Sequence, residues 1–334
     1  MKSALFGLGF GSLILALSAC GSSSDAPPSA DSACTQIAAA RCARVAACNV
    51  NGIQVRYGDM TTCEAAQKAV CLSSLSAAST GATPASTSAC ASALPGVACA
   101  DYNDNLLPTA CQPQVGKLNA GAACAFNAQC QSQFCGIGKN ASCGVCQTQP
   151  KVNDSCALLS SCGTGLACVN KGTVCANEGA KTGAMCNADT PCGDGFSCVG
   201  AKAATASAAA ILGTCQPAVE MAGAACDPKR KTGAGCDPTQ GLVCDPTSMT
   251  CVAIVVANPG EACDGSLTVC SSAATCQTAA GANAGTCVAA AANGAPCDTV
   301  VGPDCLTLSR CIVSGMGTSG TCETSSDACT ASTP

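Results

Sequence analysis

Residues 156 to 175 read Cys156-Ala-Leu-Leu-Ser-Ser-Cys162-Gly-Thr-Gly-Leu-Ala-Cys168-Val-Asn-Lys-Gly-Thr-Val-Cys175. Four cysteines are separated by five or six intervening residues, turn-forming for the most part and with too few large apolar side chains to build a core. Similar units open at Cys124, Cys186, Cys226, Cys263 and Cys297, so that six units follow one another at steps of 32, 30, 40, 37 and 34 residues. Self-similarity at that period defines a repeat array. A unit of about 30 residues lies below the roughly 40 at which a chain folds on its core alone, so covalent staples must take the place of burial. Two disulfides per unit, each closing a loop of about 15 residues, would contribute roughly 3 kcal/mol each, mainly by restricting the unfolded chain.

Composition agrees. The chain has 35 Cys in 334 residues, a density that belongs to exported disulfide scaffolds in an oxidising compartment. Aromatic residues make up 2% of the chain, and beyond the leader they are Tyr57, Tyr102, Phe126, Phe134 and Phe196. The net charge of -5 argues against a nucleic-acid partner, which calls for a basic face. Lys229-Arg230-Lys231 is the single basic run and reads as a solvated loop.

The first 20 residues carry Lys2, an apolar run and the ending Leu17-Ser18-Ala19-Cys20. The run is too short for a transmembrane helix and reads as an export signal. Its last four residues resemble the lipobox of bacterial lipoproteins, which implies that Cys20 is the lipid attachment site and the N-terminus of the mature chain. Parity supports this, because removing Cys20 leaves 34 cysteines, an even number. Several acyl chains make such an anchor stable, so the membrane is the expected partner at this end. Gly21, rather than Asp, after the anchor implies the outer membrane by the same resemblance. Residues 21-31 are small and polar, with Pro27 and Pro28, and form a flexible tether.

Residues 32-115 have a helical texture. A helix capped by Asp31 or Ser32 and running to Cys48 places Cys34, Ala38, Cys42, Val45 and Cys48 on one stripe. Arg41 falls on the same apolar stripe, a discord that calls for a snorkelling stem or an acidic partner. Thr61-Thr62-Cys63-Glu64 has the form of a capping box for a second helix, with Cys63, Ala66, Val70 and Cys71 on one face. Each helix then carries two cysteines eight residues, or about 12 Å, apart. An antiparallel pair would join Cys34 to Cys71 and Cys42 to Cys63. Cys48, Cys90, Cys99 and Cys111 remain for a third helix near 86-94 and the loop after it. Asp101-Tyr102-Asn103-Asp104-Asn105 starts like a calcium loop but has Leu106 where Gly is needed and Gln112 where Glu is needed, so it reads as a polar loop.

From Gly116 to residue 334 the units should be short two-stranded hairpins that pair their cysteines internally, first with third and second with fourth. Small-residue turns such as Gly121-Ala122-Ala123 and Gly223-Ala224-Ala225 precede them. Several close with Gly-Thr-Cys, at Cys215, Cys287 and Cys322, where Gly suits a positive φ. Gly and Ala at the joints suggest a one-dimensional string of independent units. An Ala-rich insert, 201-210, belongs in a solvent loop. Cys146 and Cys329 are left over at the ends of the first and last units, and could meet only if the array doubled back.

No His occurs, which removes His-dependent nucleophile systems and mixed Cys/His zinc sites. Cys143-Gly144-Val145-Cys146 has the spacing of a redox dithiol, but Pro150 follows where that motif needs a long helix. Asp227-Pro228, Asp237-Pro238 and Asp245-Pro246 read as turns before they read as catalytic carboxylates.

Residues 121-329, with Gly-Ala-Ala-Cys, Gly-Leu-Ala-Cys and Gly-Thr-Cys, resemble the repeats of large cysteine-rich bacterial lipoproteins that are likened to the Dickkopf N-terminal cysteine-rich domain. The 32-115 region resembles the segment that precedes those repeats. No receptor-contact residue of the Dickkopf proteins can be matched here. The expectation is a small disulfide-rich fold: an α-helical disulfide-linked N-terminal domain, then an array of short β-hairpin cysteine-rich repeats. Its expected role is that of a non-enzymatic, lipid-anchored cell-envelope protein, binding or structural, without cofactor or metal and with a protein or glycan ligand. A protease inhibitor displayed at the envelope is the alternative.

Overall fold

In the computed structural model, residues 26-334 are described, apart from 160, 164-165, 170-173, 178-180, 188-190, 204-208, 280-281, 283, 314-316, 325-328 and 330-334. Five helices come first: α1 (Ala30–Cys48), α2 (Gly52–Tyr57), α3 (Met60–Ser76), α4 (Pro84–Ala93) and α5 (Cys99–Asn103). Short strands follow, in two- and three-stranded sheets.

Helix α1 starts two to three residues ahead of the sequence expectation, because the Ser29 hydroxyl accepts the Ser32 amide at 3.1 Å. Asp31 sits in the first turn and pairs with Lys68 on α3 at 2.7 Å. Helix α3 is capped by Asp59, which accepts the Thr62 amide at 2.7 Å, and not by Thr61. A carboxylate outcompetes a hydroxyl there because its charge also favours the helix N-terminus. The polar loop expected at 101-105 is in part α5.

The helices pack through cystines. Cys34–Cys71 and Cys42–Cys63 cross between α1 and α3, as the eight-residue spacing demands, and Cys48–Cys99 and Cys90–Cys111 tie in α5 and α4. Around them lie Ile37, Ala91 and Leu94 on one side and Tyr57 on the other, a thin core for a four-disulfide unit. Arg44 on α1 donates to the Val97 carbonyl beside Cys48–Cys99, with its guanidinium 5.9 Å from the centre of the Tyr102 ring.

Each unit of the array pairs its cysteines first with third and second with fourth: 124–135 and 130–146, 156–168 and 162–175, 186–198 and 192–215, 226–244 and 236–251, 263–276 and 270–287, 297–311 and 305–322. The crossed cystines are the core; in unit 2, Leu159 and Leu166 are the described apolar side chains packed against them.

One hydrogen-bond motif recurs six times. The amides of Gly121, Asn153, Gly183, Gly223, Gly260 and Gly294, all at positive φ, donate to the carbonyl of the fourth cysteine of their unit. The amide of that cysteine returns to the carbonyl of the next residue, Ala122, Asp154, Ala184, Ala224, Glu261 or Ala295. The small-residue turns ahead of each unit therefore clamp its last strand, and only Gly or Asn enters that conformation at low cost.

The Gly of the closing Gly-Thr-Cys does something different from the expectation. Gly213, Gly285 and Gly320 do not have positive φ; a Cβ on them would stand 2.5, 2.1 and 2.2 Å from the carbonyl oxygens of Val199, Gln277 and Ile312. Close approach of neighbouring strands, not turn conformation, requires glycine there.

The string of independent units is corrected by two observations. First, the joints are structured: Ala253 pairs with Leu242 of unit 4, and two residues later Val255 begins a parallel ladder with Thr268 of unit 5. Parallel bridges at Val219 with Cys236 and Ala291 with Cys305 repeat this entry into units 4 and 6. Second, the array returns on itself. Cys143, not Cys146, is the surplus cysteine of unit 1, and it bonds Cys329. With 17 disulfides, 34 of the 35 cysteines are paired and only Cys20, outside the described residues, is left over. The insert at 201-210 is pinned at its ends by a Lys202 to Ile211 bridge, its centre lying outside the described residues.

Candidate functional site: the groove between helices and array

The array wraps the helices as a collar around a hub. Its units bind the hub largely through main-chain groups. Ala128 of unit 1 accepts from Gly81 at 2.7 Å, and Thr239 of unit 4 accepts from Val50 at 2.9 Å. Ser272 and Ala273 of unit 5 donate to Gln54 and Val55 at the end of α2, at 2.9 and 2.7 Å. The Thr307 hydroxyl of unit 6 donates to the Arg56 carbonyl at 2.6 Å. From unit 3, Asp194 accepts from the Asn103 side chain at 2.9 Å and gives its own amide to Asp104. Desolvation at that junction, more than the nearby Asp194 charge, raises the Asp104 pKa.

Three cavities open where unit 1 and unit 6 meet the face of α3. One of about 270 Å³ lies between α1, α3, α4 and unit 1. A second, of about 210 Å³, separates α2 and α3 from unit 6. The third, of about 450 Å³, lies between units 1 and 6. Val70 of α3 lines all three; Phe126 and Asn127 are shared by the first and third, and Leu308 and Ser309 by the second and third. They form one groove.

Each cavity contributes one arginine: Arg41, Arg56 and Arg310 in turn. Among the described residues no Asp or Glu lines any of them. Arg41, discordant on its apolar stripe, has found an amide instead of an acid: it donates to Gln67 Oε1 at 3.2 Å, and Gln67 Nε2 donates to the Tyr57 hydroxyl at 3.0 Å. Tyr102 closes the chain by donating to the Arg41 carbonyl at 3.3 Å. Burial lowers the Arg41 pKa and raises that of Tyr102, in each case because the charged form loses solvent. Of the three, only Arg41 carried a sequence signal; nothing in the sequence marks Arg56 or Arg310, which the return of the collar brings to the groove.

The other candidates are placed plainly. Cys20 lies outside the described residues. Cys143 and Cys146 bond Cys329 and Cys130, so the C-x-x-C is not a dithiol pair. The triplets of Cys sulfur within 4.8 Å, such as Cys124, Cys130 and Cys135, are crossed cystines whose sulfurs are already bonded. The Asp-Pro residues are turn clamps. Asp227 accepts the amides of Lys229, Lys231, Thr232 and Gly233, which bring its pKa down to about 2 and fold the basic run into an exposed loop. Asp237 binds Thr239, and Asp245 binds Thr247 and Ser248. Asp264 and Asp298, which like Asp227 follow the first cysteine of a unit, do the same for the loops after them.

No described helix is long and apolar enough to cross a membrane. Comparison with protein-family models, curated proteins and solved structures returns no match. A disulfide-rich repeat array of this kind fits a structural or binding module.

Proposed function

We propose that this chain is a lipid-anchored protein of the cell envelope, held at the outer membrane through Cys20, whose hub and collar form a non-catalytic binding module. It is read as a member of the cysteine-rich lipoproteins with Dickkopf-like repeats that residues 121-329 resemble. The carrying observation is the groove along α3: its walls come from distant parts of the chain and are fixed by cystines, a preorganised concavity that loses little entropy on binding. Residues 21-31 would hold it off the bilayer.

Replacing Cys20 by Ser and fractionating the cells tests the anchor. The expected result is release of the variant from the membrane pellet; retention as firm as the parent's overturns it. A pulldown from envelope extract with the exported Cys20→Ser chain tests binding, the expected result being a partner lost when the groove is filled by Val70→Trp.

A protease inhibitor is the second reading, and one observation favours it. Leu158, 83% exposed, is the most exposed large apolar side chain among the described residues, on the loop stapled by Cys156–Cys168. Dose-dependent loss of activity in a panel of trypsin-family proteases, abolished by Leu158→Asp, would support it.

A further inference from the structure

We propose that the groove along α3 binds a small amphipathic carboxylic acid, with its carboxylate on Arg310 and its apolar body against Val70, Phe126, Ile137 and Leu308. The proposal rests on the reading of the chain as a binding module, and is independent of the anchor at Cys20.

Arg310 carries the argument. It lines the largest of the three cavities, on a strand, Ser309–Ile312, held in register by Cys311–Cys297 and by pairing with Ser319–Thr324. A guanidinium offers five N–H donors. One of those on Arg310 reaches the Ala141 carbonyl of unit 1, at 3.3 Å. Glu323 lies opposite Arg310 across the strand pair, yet among the described residues no carboxylate stands within ion-pair distance of it. Burial lowers its pKa, because the guanidinium has lost part of its water at this junction. A planar carboxylate meets the remaining donors two at a time, the geometry for which arginine is suited.

The surroundings select for charge and shape together. The chain as a whole has a net charge of -5, while the groove holds Arg41, Arg56 and Arg310 with no acid among the described residues that line it. A concave, low-dielectric wall focuses that positive potential on an entering anion. Phe126 and Val70, shared between cavities, give a continuous apolar path away from Arg310. Cavities of about 270 to 450 Å³ match a ligand of small-molecule size and are too small for a folded partner.

Isothermal titration of the exported, fully oxidised Cys20→Ser chain with decanoate, decanol and acetate tests this. Decanoate is expected to bind, with decanol and acetate each at least tenfold weaker, since one lacks the charge and the other the apolar body. Arg310→Met should weaken decanoate by roughly tenfold or more, the usual loss for a hydrogen bond to a charged group. Val70→Trp, which leaves every arginine in place, should abolish binding by filling the shared segment of the groove. Absence of free thiol by alkylation verifies that each variant has folded. No heat with decanoate, equal affinity for decanol, or an unchanged affinity in Arg310→Met would each overturn the proposal. Failure of the anchor test alone would leave it standing.

Discussion

Cys143 and Cys329 are joined by a disulfide across 186 residues of sequence, and this bond shuts the collar around the helices. Ten other disulfides lie within the loop it closes, so its effective length is far shorter than the sequence separation, and its stabilisation is expected near the typical 2–4 kcal/mol. Replacing both cysteines by Ser should leave the remaining sixteen bonds intact and loosen unit 6 first. Hydrogen exchange should rise across 297-324 and at the α2 end that Thr307 covers. Unchanged exchange there would mean that hub contacts alone hold the collar shut.

Units differ in how their loss should spread. Ser272 and Ala273, next to Cys270, cover the last carbonyls of α2, whereas among the described residues unit 2 makes no hydrogen bond to the hub. Removing Cys270 and Cys287 should therefore expose α2 to limited proteolysis, while removing Cys162 and Cys175 should produce new cuts near 151-178 only. Equal exposure of α2 in both variants would show a collar that opens as one body.

Gly58 ends α2 at φ 85°, and a Cβ there would stand 2.5 Å from the Ser272 hydroxyl. Gly58→Ala combines an unfavourable backbone conformation with a clash at the hub and collar contact. It should cost about 1–3 kcal/mol, read from denaturant midpoints. Adding Ser272→Gly should recover the part due to the clash and leave the backbone part.

Acid should loosen the collar loops. Amide hydrogen bonds depress the carboxyl pKa of Asp227, from 3.8 to about 2, and hold those of Asp245, Asp264 and Asp298 below the ordinary value as well. A depressed folded pKa means that the unfolded chain binds the proton more readily, so the contribution is complete above about pH 4 and is lost as pH falls toward 2. The amide resonances of Lys231 and Thr232 should shift over that window, and in Asp227→Asn the transition should vanish. A titration centred at or above pH 4 would contradict the hydrogen-bonding assignment.

What was legible in the sequence follows from where its signals reside. Cys34 and Cys42 face Cys71 and Cys63 because helical periodicity and an equal spacing fix both pairs at once. The crossed pairing within units is likewise local, spanning 11 to 23 residues. The collar was not legible because contacts such as Val50 with Thr239 and Ser272 with Gln54 join main-chain groups, which any residue supplies. Arg310 was silent for the same reason: its significance depends on a return of the chain that no local pattern encodes. The start of α3 was missed by two residues because Asp59 and Thr61 both satisfy the capping rule, and only geometry chooses between them.

A closed collar also changes what a single cut in the chain can do. Any one peptide bond between Cys146 and Cys322 can be cleaved and both new ends still belong to one covalent body, since one fragment keeps the hub by its main chain and the other keeps Cys143 through Cys329. Such a nick is invisible by mass in oxidising solution, apart from the added water, and separates fragments only after reduction. Wherever a protease reaches the chain, the ring makes the first cleavage harmless to its integrity, and the second becomes the one that counts.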